Sequence, residues 1–260
     1  MIEDLQPSRL RHVLTRGWGT SLAVLESTTS TMDVAWTHAA AGADDGHVVL
    51  ADRQTAGRGA HGRQWISPPG TDLYFSVLVR PAVEPASTAL MTLAVGLGVR
   101  DAVVALLPGC SVLVKWPNDV WIGRRKCAGI LVESRTVGMR LDSMVIGVGL
   151  NVNRMQWPPA LAGAATSLRS ERSDAKPFDR AEVLAALLCH MQRWVKLFIE
   201  NGAPVVVNAL RPSLALVGER VRWDDGDGVF DGIGSDGAAR VRTEAGVLSL
   251  HAAHIEPLER

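Results

Sequence analysis

Cysteine is scarce in this chain of 260 residues: Cys110, Cys127 and Cys189 are its three thiols, far apart and without a Cys-x-x-Cys pair. An odd, scattered set builds no disulfide framework and reads as reduced, mostly buried thiols of a cytosolic protein. Net charge is absent as well. The 27 Lys and Arg balance the 27 Asp and Glu, so no general field favours nucleic acid or an anionic membrane. No secretory signal opens the chain, because MIEDLQPSRLRH is polar and charged. The longest apolar stretch, residues 89–107, is broken by Arg100 and Asp101 and fits a buried helix better than a bilayer span. Internal repeats and low-complexity tracts are missing too. What remains is the composition of a globular protein with a full core, 47% hydrophobic and 21% charged.

The periodicity predicts a helix over 7–16 that stops at Gly17, and a short strand over 22–25. A second helix follows, with Ser30 as N-cap and Gly42 as stop. Strands are predicted over 47–53 and 72–80, the latter alternating Leu73, Phe75, Val77 and Val79. Residues 87–107 predict a central helix against a sheet. Residues 112–116 predict a strand, 120–122 and 127–133 a hairpin turned at Gly123-Arg124, and 139–151 a further strand. Residues 154–177 hold three prolines and read as loop; 179–201 are the clearest amphipathic helix. After Arg211-Pro212 the composition changes to short strands separated by Gly/Asp turns. A division follows into a main domain, 1–211, and a small antiparallel barrel, 212–260. Asp224-Asp225-Gly226-Asp227-Gly228 lacks the ligand spacing of a calcium loop and reads as turn chemistry.

Two segments carry chemistry. QTAGRGAHGRQW, residues 54–65, lies between two predicted strands. Gly57, Gly59 and Gly62 let a backbone approach a ligand, Arg58 and Arg63 suit carboxylate or phosphate, and Trp65 offers a stacking face. KWPNDVWIGRRKCAGILVE, residues 115–133, sets Asn118-Asp119 at a strand end, where a carboxylate suits Mg²⁺ beside a nucleotide. Lys126 reads as a buried ammonium bridging carboxylate and phosphate, and Gly129 as a point of close approach. Taken singly, each is equally well a hairpin polar residue.

These two blocks, with Ser30-Thr31-Met32 and GVGLNV (147–152), resemble the biotin protein ligases, in the family's order and at its approximate spacing. The C-terminal GERV, GIGSDGAARV and HAAHI resemble that family's SH3-like cap. The resemblance implies an α/β (α+β) fold: a mixed-sheet biotin/lipoate-ligase-like catalytic domain with a small C-terminal SH3-like β-barrel. It also implies ATP-dependent biotinylation of one lysine on a biotin carboxyl carrier domain through biotinyl-5′-AMP. Biotin and Mg²⁺·ATP would be substrates, with no permanent prosthetic group. Ser30, Thr31, Met32, Gln54, Gly57, Arg58, Gly59, Ala60, Lys126 and Gly129 would form the biotin site. Arg58, Arg63, Trp65, Asn118, Asp119, Lys126 and Asn151 would meet ATP and the adenylate. Arg58 and Lys126 would be the catalytic pair, and Asp119 the Mg²⁺ ligand.

Two residues depart from the family pattern. Ala60 stands where the family usually has the second arginine of Gly-Arg-Gly-Arg, which implies a weaker hold on biotinyl-AMP, with His61 or Arg63 as compensating groups. Met32 replaces the usual Asn at the rim of the biotin pocket. About twenty residues precede the first strand, too few for a helix-turn-helix domain, so neither DNA nor membrane is an expected partner and the cytoplasm is the expected compartment. A lipoate–protein ligase and a catalytically dead biotin-binding module are the rival readings. Lys126 and Asp119 speak against the second, because a pure binder has no need of nucleotide contacts. A homodimer paired through a sheet edge stays open.

Overall fold

A computed structural model of the chain describes residues 3–258. In chain order it contains α1 (Pro7–Val13), β1 (Leu22–Thr28), α2 (Thr31–Ala40), β2 (Val48–Gln54), β3 (Leu73–Val79) and α3 (Thr88–Leu106). These are followed by β4 (Val112–Lys115), β5 (Asp119–Ile122), β6 (Arg125–Val137), β7 (Arg140–Leu150), α4 (Leu168–Glu171), α5 (Arg180–Asn201) and α6 (Ala203–Leu210). The C-terminal strands are β8 (Arg220–Trp223), β9 (Gly226–Ile233), β10 (Ala239–Thr243), β11 (Gly246–Leu250) and β12 (Glu256–Pro257).

The first seven strands form one mixed sheet in the order β1-β2-β3-β7-β6-β5-β4, with β1 and β2 parallel and every other pair antiparallel. Its two faces follow from the two-residue side-chain period of a strand. On one face, Leu73, Phe75, Val77 and Val79 of β3 and Met144, Ile146, Val148 and Leu150 of β7 join the main buried cluster with α3, α5 and α6. On the other face, Val49, Leu78 and Val145 pack on Met32, Ala35 and Trp36 of α2. Toward the β7 and β6 end that same face offers Gly147, Gly149 and Gly129. The sheet is therefore sealed by helices on one side and half open on the other.

Local chemistry sets the element ends. Ser30 caps α2 by accepting from Met32 N at 3.3 Å. Asp179 caps α5 by accepting from Ala181 N and Glu182 N at 2.9 and 3.2 Å. The β5–β6 hairpin turns at Gly123, whose φ of 60° suits glycine. Helices α3 and α5 cross closely at Gly98, where a Cβ would lie 2.6 Å from Met191 Cα. The segment Pro85–Leu106 is long and apolar enough to cross a membrane, yet Met91, Leu93, Leu97, Val99 and Val103 are all buried in the core.

The second sheet, β11-β10-β9-β8-β12, is antiparallel throughout, as expected of an SH3-like barrel. Asp224 and Asp225 sit in its β8–β9 turn. Its Phe230, Val241 and Ile255 belong to the main buried cluster. Trp116, 2% exposed, donates its indole N–H to Gly237 O at 3.0 Å. Leu214 bridges Val114 of β4, so the chain stays on the main sheet for a few residues past 212.

Two expectations need correcting, and one helix lies where no element was expected. Helix α6 was not foreseen, because VVV reads as strand until packing against α3 and α5 overrides propensity. Helix α1 ends at Val13, three residues short of the expected stop. Of the three thiols only Cys127 is buried; Cys110 is half-buried and Cys189 is exposed on α5.

Candidate active site

The open half of the sheet floors a cavity of about 1640 Å³. It is walled by residues 58–66, the loop 161–165 and the strand ends of the second sheet. Glycines make the floor. The Trp65 ring lies across it, 2.8 Å from where a Cβ on Gly129 would stand and closer still to one on Gly149. Lys126 Nζ lies 5.2 Å from the centre of that ring, within cation–π range. The indole N–H of Trp65 has no protein partner.

Residues 54–65 form a bent hairpin rather than an open loop. Gly59 N donates to Arg63 O at 2.7 Å and Trp65 N to Gly57 O at 2.9 Å. Gly57 is required, since a Cβ there would stand 2.6 Å from Trp65 O and 2.9 Å from Ser67 Oγ. The tip turns through Ala60, His61 and Gly62, with φ of 55° and 71° at the last two. Its base is tied to α2: Gln54 Oε1 accepts from Thr31 N at 2.9 Å, and Gln54 Nε2 donates to Ser67 Oγ at 3.0 Å. The Thr31 hydroxyl pairs with Ser76 Oγ at 2.8 Å. Ser30, Thr31, Met32, Gln54, Ala60 and Gly129 thus line one cavity, with Gly57 shaping the hairpin behind them.

Arg58 points elsewhere. Its guanidinium pairs with Asp33 of α2 and with Glu133 Oε1 of β6, the latter at 3.0 Å. Glu133 also accepts from Trp36 Nε1 at 2.8 Å. In this arrangement Arg58 lies on the rim with its charge matched by two carboxylates, rather than facing a phosphate.

The cations of the cavity divide by burial. Lys126 sits 2.6 Å from Asp119 Oδ1, with 31% of its side chain exposed, so it is not the buried ammonium that the sequence suggested. The buried one is Lys115, at 2%. Burial, the Lys126 charge and Arg63 outweigh the help of Asp119 and Glu256 and bring Lys115 down to about 8. Asn118 and Asn151 are committed to the scaffold. Asn118 Nδ2 donates to Ile130 O at 2.8 Å, and Asn151 Nδ2 to Thr166 O at 3.0 Å. Arg63 reaches His254, from the chain just before β12, at 3.0 and 3.1 Å.

Sequence reasoning missed Lys115, His254 and Glu256 on this wall, and Asp33 and Glu133 on the rim. Lys115 stands at the head of the quoted KWPND block and was legible there as a lysine closing a buried strand. His254 had no sequence signal, because only tertiary docking of the second sheet brings it here. Behind the site, Arg154 and Asp72, both buried, pair with Nε at 2.7 Å, while Arg154 Nη2 holds Ile66 O at 2.9 Å. That ties the end of the glycine segment to β3.

The chain is similar to known proteins. The biotin/lipoate A/B protein ligase family matches residues 24–151. A biotin–[acetyl-CoA-carboxylase] ligase of Mycobacterium tuberculosis is 37% identical over 210 residues, 79% of this chain and 75% of that protein. A bifunctional ligase/repressor of Bacillus spizizenii is 33% identical over 261 residues, 97% of this chain and 79% of that protein. The chain belongs to the biotin protein ligase family. Structure agrees: the Aquifex aeolicus biotin protein ligase in complex with biotin and ATP superposes with a TM-score of 0.78 at 28% identity, covering 92% of this chain and 99% of that one. The chain's α/β sheet with the small second sheet is the family's fold.

Among the described residues no three His, Cys, Asp or Glu side chains converge, and Asp119 is already paired with Lys126. A divalent cation would enter with the nucleotide, as part of the substrate.

Proposed function

We infer that this protein activates biotin with ATP and transfers it to a lysine of a biotin carboxyl carrier domain, at the cavity described above. The observation that carries this reading is the set of groups that line one cavity. A glycine floor with small polar groups adjoins Lys126, Lys126 pairs with Asp119, and Lys115 joins Arg63 through His254.

This set suits the chemistry. A carboxylate must attack the α-phosphate of ATP, and two anions repel. Cations fixed between them lower that repulsion and meet the charge that develops on the phosphoryl oxygens. No general base is needed, because the nucleophile is already ionised. Biotin would lie over Gly129 and Gly147 with its ring end at Ser30, Thr31, Met32 and Gln54, and its carboxylate toward Lys126 and the backbone of Gly57–Ala60. Lys126 would bridge that carboxylate and the α-phosphate, giving up part of its contact with Asp119. Arg58 would be released from Asp33 and Glu133 as the hairpin closes over the ligand. Asn118 and Asn151 would act chiefly by holding Ile130 and Thr166 in place. The product, a mixed anhydride, hydrolyses readily, so the closed hairpin would also exclude water. The acceptor lysine then displaces AMP and forms the amide.

Ala60 would leave the adenylate with one cation fewer, and Arg63, held by His254, is the nearer of the two compensating groups. We assign the catalytic role to residues 1–211 and a supporting role to 212–260, and place the reaction in the cytoplasm, with its ATP. The test is ATP–pyrophosphate exchange with biotin or lipoate as the acid. Exchange that depends on biotin supports the reading; exchange with lipoate alone, or with neither, overturns it.

A further inference from the structure

The second sheet sends one imidazole into the cavity wall, and every polar neighbour of that ring is charged. His254 Nε2 lies 3.0 Å from Glu256 Oε1. His254 Nδ1 lies 3.3 Å from Lys115 Nζ and 3.1 Å from Arg63 Nη2. Arg63 Nη1 also lies 3.0 Å from His254 Nε2, so the guanidinium spans both ring nitrogens. In the neutral tautomer with its proton on Nε2, that N–H donates to Glu256 and the Nδ1 lone pair accepts from the Lys115 ammonium and from Arg63 Nη2, while Nη1 meets Nε2 without a hydrogen bond. Glu256 is held in turn by Arg222 at 3.5 Å.

A cation in water gains nothing from such company, but Lys115 is 2% exposed, and no carboxylate among the described residues is in hydrogen-bond contact with it. Among the described residues His254 is the one side chain that accepts from Lys115 Nζ. It also joins Lys115, on β4, to Arg63, on the glycine hairpin. We propose that His254 is a positioning residue for ATP: as a neutral imidazole it holds Lys115 and Arg63 side by side, aimed at the part of the polyphosphate beyond the α-phosphate. The proposal rests on the ATP site inferred above and adds to it the residue from the second sheet that assembles two of its cations.

The protonation state agrees with the geometry. Burial first, then the charges of Lys115 and Arg63, lower His254 below its usual range, against the pull of Glu256. The charged groups facing the ring are Lys115 from β4, Arg63 from the hairpin and Glu256 from β12, with Arg222 of β8 behind Glu256. A proton added to Nδ1 would place a third cation against the first two and push Lys115 and Arg63 apart.

The experiment measures nucleotide binding by calorimetry on the full chain with biotin present, using Mg²⁺ with α,β-methylene-ATP, whose α–β bridge cannot break to release its adenylyl group, and AMP, which lacks the outer phosphates. For His254→Ala, affinity for the ATP analogue should fall at least tenfold while that for AMP changes less than twofold. His254→Gln, whose amide also offers one acceptor and one donor, should recover most of the loss. Wild-type affinity for the analogue should weaken on acidification below pH 6.5, and that dependence should vanish in His254→Gln. Equal losses for both nucleotides, or no loss for either, would overturn the proposal, as would Gln behaving like Ala. Wild-type exchange with biotin tests the underlying reaction separately, so failure of one is distinguishable from failure of the other.

Discussion

Lys126 and Lys115 share the cationic work of the cavity in different ways. Lys126 is half open to solvent and paired with Asp119, so it is free to move toward a ligand. Lys115 is fixed by burial. Replacing Lys126 with Ala should lower biotin-dependent exchange at least about a hundredfold, the scale of losing one oriented charge in a water-poor site, while circular dichroism stays native. Ala60→Arg should slow dissociation of biotinyl-AMP by about tenfold or more, the worth of one charged hydrogen bond; stopped-flow release of the adenylate checks it. Lys115, at about 8, gives a pH signature in the absence of nucleotide. Its ammonium is present at pH 7 and titrates away as pH rises through that value, so kcat/KM for ATP should fall on the alkaline side, and Lys115→Arg should remove that limb.

At the scale of elements, the glycine hairpin is positioned from both ends: Gln54 ties its start to α2, and Arg154 ties its far side to β3 through Asp72. Replacing Arg154 with Ala leaves the Asp72 carboxylate buried without its cation, a change that costs about 3–5 kcal/mol in comparable pairs. Urea unfolding should show that loss, and exchange should decline with it because Ile66 is released. Much of this layer was legible in the sequence. The Ser30 cap, the Gly123 turn and the α5 stripe declared themselves because their signals are local. Arg58 did not, since its partners Asp33 and Glu133 lie 25 and 75 positions away and only the sheet register brings them to one rim. Lys126 was expected to be buried and is not, for the same reason: alternation says which side of a strand a residue faces, not how far the second sheet covers it.

At the scale of the molecule, the buried His47 and the half-buried His254 set an acid limit to stability. His47, whose neighbours are His38 at 2.8 Å and Ser21 at 2.7 Å, is lowered by burial and then by the His38 charge. His254 is lowered too. A histidine whose folded pKa lies below its unfolded value of 6.5 takes up protons more readily in the unfolded chain. Its contribution to stability is therefore complete above pH 6.5 and is lost as pH falls through the folded pKa. The melting temperature should drop between pH 7 and pH 5, and His47→Gln should flatten part of that drop. The second sheet shares one core with the first through Phe230, Val241 and Ile255, so unfolding should be a single transition by calorimetry.

The central claim is that one cavity both makes the biotinyl adenylate and spends it on a carrier lysine. The direct measurement is intact-mass spectrometry of a biotin carboxyl carrier domain incubated with this protein, biotin and Mg²⁺·ATP. The account predicts the addition of one biotinyl group, lost when ATP is withheld or the acceptor lysine is replaced by arginine. An unmodified carrier, or a carrier modified with lipoate in place of biotin, would contradict it.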